Sequence, residues 1–225
     1  MRVARPQALF ENRLDAGRKL AVELADYQGR STVVLGIPNG GVPVAVEVAM
    51  ALKSDLGLVI TRKIPIPLNP EAGFGAVVDD GTIIIDEDMA RRLGLNKEQI
   101  DYQVNKVRAA IRQRSLLYHK DKPLISVAGK TVIIADDGLA AGLTMMAAVT
   151  SVRRRRSAEI IVAAPVASAS AVERLEKVAD KIVTCFTAQT PSFAVADYYR
   201  YWHDLSDDEV LRLLSDWRRR RMREG

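Results

Sequence analysis

Cysteine is nearly absent from this chain. Cys185 is the only one in 225 residues, which excludes an internal disulfide, and its apolar, strand-like neighbourhood fits a small buried packing residue rather than a nucleophile. Histidine is almost as scarce: His119 and His203 each lack a second ligand at metal-site spacing, so neither receives a role. Long apolar runs are missing too. No stretch approaches the roughly 18 uninterrupted apolar residues of a membrane span, and Met1-Arg2-Val3-Ala4-Arg5-Pro6 leads into no signal-peptide core. A cytoplasmic protein with no membrane partner is expected. The absence of a Gly-x-Ser-x-Gly elbow argues against an α/β hydrolase. No internal repeat or low-complexity linker divides the chain. One domain over residues 1–225 is expected, with its core at about 30–190 and its flanks, 1–30 and 187–225, packed together as a cap.

What is present is the balance of a folded globular protein, 48% hydrophobic and 27% charged. The net charge of +5 gathers in Arg153-Arg154-Arg155-Arg156, in the tail from Arg218 to Arg223, and in a basic excess along residues 97–122. Such runs can hold phosphates or nucleic acid, but short ones at helix ends more often complement the helix dipole. Nucleic acid is therefore a secondary expectation.

Apolar runs alternate with helical periods, the pattern of crossover units around a parallel sheet, so the fold class is α/β. Strands are expected at Thr32 to Ile37, Gly57 to Thr61, Lys130 to Ala135, Glu159 to Ala164 and Lys181 to Phe186. They are rich in valine and isoleucine without polar alternation, as strands buried on both faces are. Helical faces are read at Val42, Ala45, Val46, Ala49 and Met50; at Met145, Ala148, Val149 and Val152; and at Ile100, Val104, Val107 and Ile111. Asn96 with Gln99, and Ser206 with Glu209, carry capping-box spacing before two helices, the second with Val210, Leu213, Leu214 and Trp217 on its apolar face. From Arg62 to Asp86, Pro65, Pro67 and Pro70 precede two β-like runs joined by Asp79-Asp80-Gly81. This reads as a loop followed by a small β-hairpin extension.

Two strand–loop–helix passages carry the chemistry. In the first, Val132-Ile133-Ile134-Ala135 ends in Asp136-Asp137, followed by Gly138-Leu139-Ala140-Ala141-Gly142-Leu143-Thr144 and a helix. In open α/β sheets ligands collect beyond the carboxyl ends of strands, and a helix amino end offers unpaired N–H groups to anions. Two carboxylates beside such an end suit a ligand that brings hydroxyls and phosphate together; a plain turn is the blander alternative. In the second passage, Leu35-Gly36-Ile37 runs into Pro38-Asn39-Gly40-Gly41 and another helix. The paired glycines permit close backbone approach, but the spacing is not that of a GxGxxG fingerprint.

Together these passages resemble the type I phosphoribosyltransferase family, in which a strand, two acids and a loop usually ending Thr-Gly-x-Thr hold phosphoribosyl pyrophosphate. The resemblance implies a Rossmann-like fold, with a central parallel sheet of about five strands flanked by helices, a small β-hairpin extension and a cap. By that resemblance Asp136 and Asp137 hold the ribose hydroxyls, Gly138 through Thr144 the 5′-phosphate, and Pro38, Asn39, Gly40 and Gly41 the pyrophosphate. Arg62 and Lys63, leading into a pyrophosphate-covering loop, neutralise charge. Asn69, Pro70, Glu71, Gly73, Gly75 and Ala76 match a little-studied subgroup that shares the Gly-Gly-Val-Pro-Val-Ala loop.

Three positions depart from the family pattern. Ala141 replaces a threonine that donates to the phosphate, Asn39 stands where a basic residue is usual, and Ala140 takes the place of an aspartate found in 6-oxopurine enzymes. The last makes purine salvage the less favoured acceptor chemistry.

The implied reaction displaces magnesium pyrophosphate by the nitrogen of a small heterocyclic acceptor, with carboxylates favouring the oxocarbenium-like ribose and cations the leaving group. Magnesium is expected through the ligand, near Asp136 and Asp137, with no metal site of the protein's own. Phe193, Tyr198, Tyr199, Tyr201 and Trp202, within Phe186 to His203, are read as a hood for the acceptor or as packing. A homodimer is implied by the habits of the fold. The competing reading is a non-catalytic sensor of phosphoribosyl pyrophosphate or another ribose phosphate, with nucleic-acid or protein partners.

Overall fold

The valine and isoleucine runs lie side by side in the computed structural model, which describes residues 8–67, 69–119, 124–190 and 192–224. The first seven residues of the expected cap and part of the basic stretch 97–122 fall outside these. In chain order the regular elements are α1 (Arg13–Glu23), β1 (Thr32–Gly36), α2 (Gly41–Leu52), β2 (Asp55–Leu58), β3 (Thr61–Ile66), β4 (Asn69–Val78), β5 (Ile83–Ile85), α3 (Glu87–Arg92), α4 (Lys97–His119), β6 (Thr131–Ala135), α5 (Leu143–Arg154), β7 (Glu159–Ser168), α6 (Ala169–Leu175), β8 (Lys181–Ala188) and α7 (Asp207–Glu224).

Five parallel strands form the central sheet in the order β2-β1-β6-β7-β8. Alternate residues of β6 serve opposite faces: Ile133 and Ala135 join a core with α1, α2 and α7, whereas Val132 and Ile134 join one with α5 and α6. Both faces are covered, which is why the strand lacks polar alternation. The fold is α/β, with helices on either side of a parallel sheet.

Two expectations need correction. The run Gly57 to Thr61 is not one strand: β2 ends at Leu58, and Thr61 already belongs to a second sheet, whose antiparallel order is β3-β4-β5. Nor is the segment after Arg62 a loop with a two-stranded hairpin, because Arg62 to Ile66 supplies a third strand paired along β4. Prolines suggested a break, but β3 is an edge strand. There a missing N–H costs little, and the register shifts beside Pro65 absorb its ring. Ile64, Phe74 and Val77 of this sheet bury against Val104, Val107 and Ile111 of α4.

Both capping boxes form. Asn96 and Gln99 exchange bonds of 3.0 and 2.9 Å at the start of α4, and Ser206 and Glu209 do the same before α7. Beyond the core, the bridge Phe10–Tyr199 and the bond from Arg200 N–H to the Phe10 carbonyl (2.8 Å) lay residues 9–11 along 198–201.

Candidate functional site

Strand order decides where a ligand can enter. From β1 the chain crosses to β2 on one side, and from β6 it proceeds to β7 on the other, so a crevice opens beyond the carboxyl ends of these two neighbouring strands. The loops that open there are the two singled out by sequence, and they touch. A Cβ at Gly40 would overlap the Asp137 carboxylate, and one at Gly41 would stand 2.6 Å from the Ala135 carbonyl oxygen. Glycine is required at both positions because the backbone of Pro38 to Gly41 lies against the acidic turn.

Asp136 and Asp137 are nearly enclosed, with 15% of the Asp137 side chain exposed. Burial and the neighbouring charge of Asp137 push the Asp136 carboxyl well above the usual range. Asp137 is also pushed up by burial, against the pull of Arg13, whose Nε donates to its Oδ2 at 2.7 Å. The Tyr199 hydroxyl donates to the Asp137 backbone carbonyl at 2.6 Å, which pins the turn from the far end of the chain. Burial first, and then the charge of Asp137, raise the pKa of that phenol.

The loop after the acids is held by β7. Leu139 exchanges backbone bonds with Val166 and Ser168 (both 2.9 Å), and the Ser168 hydroxyl donates to the Ala140 carbonyl at 2.6 Å. Gly142 adopts φ 75°, a left-handed conformation that glycine takes without strain, and α5 begins. The first intrahelical bond runs from Met146 N–H to the Gly142 carbonyl (2.8 Å), which leaves the preceding N–H groups of the turn for an outside acceptor. Gly138 through Thr144 line a cavity of about 350 Å³ together with Lys63, Gly73, Gly75 and Met89.

Lys63 reaches that cavity because the antiparallel sheet is fastened to α5: Ser151 donates to Asp80 at 2.7 Å, and Arg154 to the Thr82 hydroxyl at 3.1 Å. Arg62 is exposed and is not among the residues lining the cavity. Side chains alternate along a strand, so two adjacent residues cannot both face one ligand.

Asn39 is turned away from the crevice. Its amide donates to the Leu205 carbonyl (2.7 Å) and to Asp207 (3.0 Å), while the Tyr118 hydroxyl donates to Asp207 (2.6 Å) and lies 3.0 Å from the Asn39 side-chain oxygen. Arg114 completes the group, 3.2 Å from Asp207. A lysine or arginine could not both accept from Tyr118 and donate to Leu205. The departure at this position therefore belongs to an anchor between the loop, α4 and α7.

Most of the remaining candidates are engaged in packing or internal pairing, while Tyr201 is exposed. Tyr198 and Tyr199 are buried and stack with Phe10, Phe186, Phe193 and Trp202. Three of the four clustered arginines are engaged internally: Arg153 with Asp180, Arg154 with Thr82, and Arg155 with the Ile125 carbonyl. His119 pairs with Asp79 and His203 with Glu209. Burial pushes the Cys185 thiol up to about 11, the opposite of what a nucleophile needs. Among the described residues no cluster of three or more His, Cys, Asp or Glu side chains is placed to hold a metal ion, and no helix is long and apolar enough to cross a membrane.

Residues 76–200, more than half of the chain, match the phosphoribosyl transferase domain. The chain belongs to the phosphoribosyl transferase family. Two curated relatives, from Mycobacterium tuberculosis strains CDC 1551 / Oshkosh and H37Rv, are provisionally named phosphoribosyl transferases. Each is 36% identical over 206 residues, a match covering 92% of this chain and 46% of the relative. The chain thus spans about half the length of the curated relatives it matches. The crystal structure of TT1426 from Thermus thermophilus is 35% identical with a TM-score of 0.76, covering 92% of this chain and 98% of the other.

Arg13, Val195 and Ser168, near the acidic turn and its loop, escape a reading of sequence, and Tyr199, read there as hood or packing, ties the turn. Arg13 precedes the matched region, and Tyr199 and Val195 lie near its end; the Val195 side chain would meet a Cβ at Gly138 at 2.5 Å. Ser168 alone gave a local signal, since it also caps α6 by accepting from Ala171 N–H.

Proposed function

We propose that the chain binds phosphoribosyl pyrophosphate as its magnesium complex and transfers the phosphoribosyl group to a nitrogen of a small heterocycle, releasing pyrophosphate. The observation that carries this reading is the contact between the two loops: the acidic turn and the glycine pair meet at the switch point, beside a cavity rimmed by a helix amino end and a lysine.

In this reading the 5′-phosphate lies along Gly138 to Thr144, where backbone N–H groups compensate for the hydroxyl that Ala141 lacks. The ribose hydroxyls face Asp136 and Asp137, and the pyrophosphate lies over Pro38 to Gly41. Magnesium arrives with the ligand. As the bond to pyrophosphate lengthens, positive charge grows on the ribose and is favoured by the paired carboxylates, while Lys63 favours the departing anion. Arg62 can serve only if the edge strand changes its path. A homodimer and a cytoplasmic setting belong to the same proposal.

The test is thermal unfolding with magnesium phosphoribosyl pyrophosphate, with magnesium pyrophosphate as control. Ligand at about 100 times its dissociation constant adds roughly 2.7 kcal/mol, which for a chain of this length raises the midpoint by about 5 to 10 °C. No shift at millimolar ligand would overturn the proposal. Pyrophosphate release in the presence of heterocyclic acceptors then separates turnover from binding alone.

A further inference from the structure

We propose that Arg13 is a positioning residue for this site: clamped against Trp202, it fixes the Asp137 carboxylate so that the remaining lone pairs of that group meet a ribose hydroxyl of phosphoribosyl pyrophosphate. The inference rests on the functional reading above and adds a residue from outside the family-matched stretch 76–200.

Helix α1 by itself has no use for an arginine at this place. Its other buried residues are Ala16, Gly17, Leu20 and Ala21, an apolar face against α2 and the sheet, and a cation among them is costly unless fully paired. Arg13 is 7% exposed, and its partners come from two distant places in the chain, the acidic turn and the adjacent pair Trp202-His203. Nε donates to Asp137 Oδ2 at 2.7 Å, one terminal nitrogen donates to the His203 carbonyl at 2.9 Å, and the guanidinium carbon stands 3.7 Å from the centre of the Trp202 ring. The ring fixes the plane of the guanidinium, the carbonyl fixes its rotation, and the Nε–H is thereby aimed at Asp137.

The consequence falls on a group that is otherwise badly placed. Two adjacent enclosed carboxylates repel one another, and each disfavours the charge of its neighbour. A cation at one of them holds that one in place as an acceptor. A carboxylate offers about four lone-pair sites, so a single bond from Arg13 leaves capacity for a hydroxyl. The Tyr199 hydroxyl uses the backbone carbonyl of Asp137 and does not compete for the side chain. Pyrophosphate without ribose has no hydroxyl to present to Asp137, so Arg13 should matter to one ligand and not to the other.

The experiment compares titration calorimetry of magnesium phosphoribosyl pyrophosphate and of magnesium pyrophosphate on the wild-type chain, Arg13→Gln, Arg13→Lys, Asp137→Asn and the Arg13→Gln/Asp137→Asn double variant. Arg13→Gln is expected to weaken phosphoribosyl pyrophosphate roughly tenfold or more while pyrophosphate is unchanged. Arg13→Lys should recover part of that loss, and the double variant should bind no worse than Asp137→Asn, because the two residues act as one unit. Equal loss of both ligands, a lysine variant no better than glutamine, or additive losses in the double variant would reduce Arg13 to general packing and overturn the inference. Should Arg13→Gln not fold, Trp202→Leu keeps the ion pair without the stack and carries the same comparison, with an expected loss of about threefold for phosphoribosyl pyrophosphate alone. Wild-type chain that binds no phosphoribosyl pyrophosphate overturns the functional reading and this inference with it. Binding by the wild type with no change in either Arg13→Gln or Trp202→Leu overturns this inference only.

Discussion

Asp136 occupies a place where charge is unfavourable, enclosed at a strand end beside a second carboxylate. Its raised pKa means that the folded state prefers the protonated form, so ionising it at neutral pH costs stability. Asp136→Asn removes that cost and keeps the side-chain oxygen that accepts from Asp137 N–H at 2.9 Å. The ligand-free variant is expected to be more stable by about 1 kcal/mol, read as a midpoint about 2 to 4 °C higher, while losing most of the shift produced by magnesium phosphoribosyl pyrophosphate. Asn39 shows the opposite balance. Asn39→Ala takes a donor from Asp207 and from the Leu205 carbonyl and should destabilise the chain by about 1 to 3 kcal/mol in urea unfolding. At this scale sequence was a partial guide. The paired acids and glycines could be read because their chemistry is local. Asn39 looked like a missing charge because its partners lie 79 and 168 positions away, in α4 and α7.

The helix α7 does more than cover the sheet. Its capping box places Asp207 in the first turn, where it accepts from Asn39 and Tyr118, so the start of one helix is tied to the loop of another. Ser206→Ala should cost about 1 kcal/mol, as cap removals do. Amide exchange should quicken both in the first turn of α7 and at Gly41 and Val42, whereas a cap acting only on its own helix would change the first alone. The capping spacing and the apolar face of α7 were plain in sequence. Strand β3 was not, because Pro65 reads as a breaker in a sheet interior and is tolerable at an edge, and edge position shows only once β3 pairs with β4, the strand that follows it.

Across the whole molecule, carboxylates with lowered pKa outnumber the raised pair. Asp80, Asp86, Asp180 and Asp207 are held below their usual range, with hydrogen bonds to backbone or side chains and nearby arginines outweighing burial, and Glu209 is lowered to about 2. Groups lowered in the fold contribute stability that is present above their unfolded pKa and is lost as pH falls through the folded value. Asp136 and Asp137 act in the other direction and favour the fold as they take up a proton. Urea midpoints should therefore peak on the acid side of neutrality and fall steeply below about pH 4, the range in which unfolded carboxylates protonate. A profile that declines steadily from pH 8 to pH 5 would contradict this. Most of the parallel sheet could be read from sequence because its buried strands declare themselves, the edge strand β2 being misplaced, whereas the pairing of residues 9–11 with 198–201 could not, since no local pattern encodes it.

That pairing sets an order on biosynthesis. A ribosome releases the chain amino end first, so β1, α2 and β6 are available to assemble long before Trp202 and Asp207 exist. Until then Arg13 has no ring to stack on and Asn39 no carboxylate to hold. A nascent phosphoribosyl transferase domain carries the glycine loop and the acidic turn early, but Arg13 gains its ring and carbonyl partners, and Asn39 its anchor, only when the segment carrying Tyr199 to Asp207 has emerged. On the proposed reading, competence to bind ligand is a late property of synthesis, and chains stalled before Tyr199 should carry both loops without these anchors.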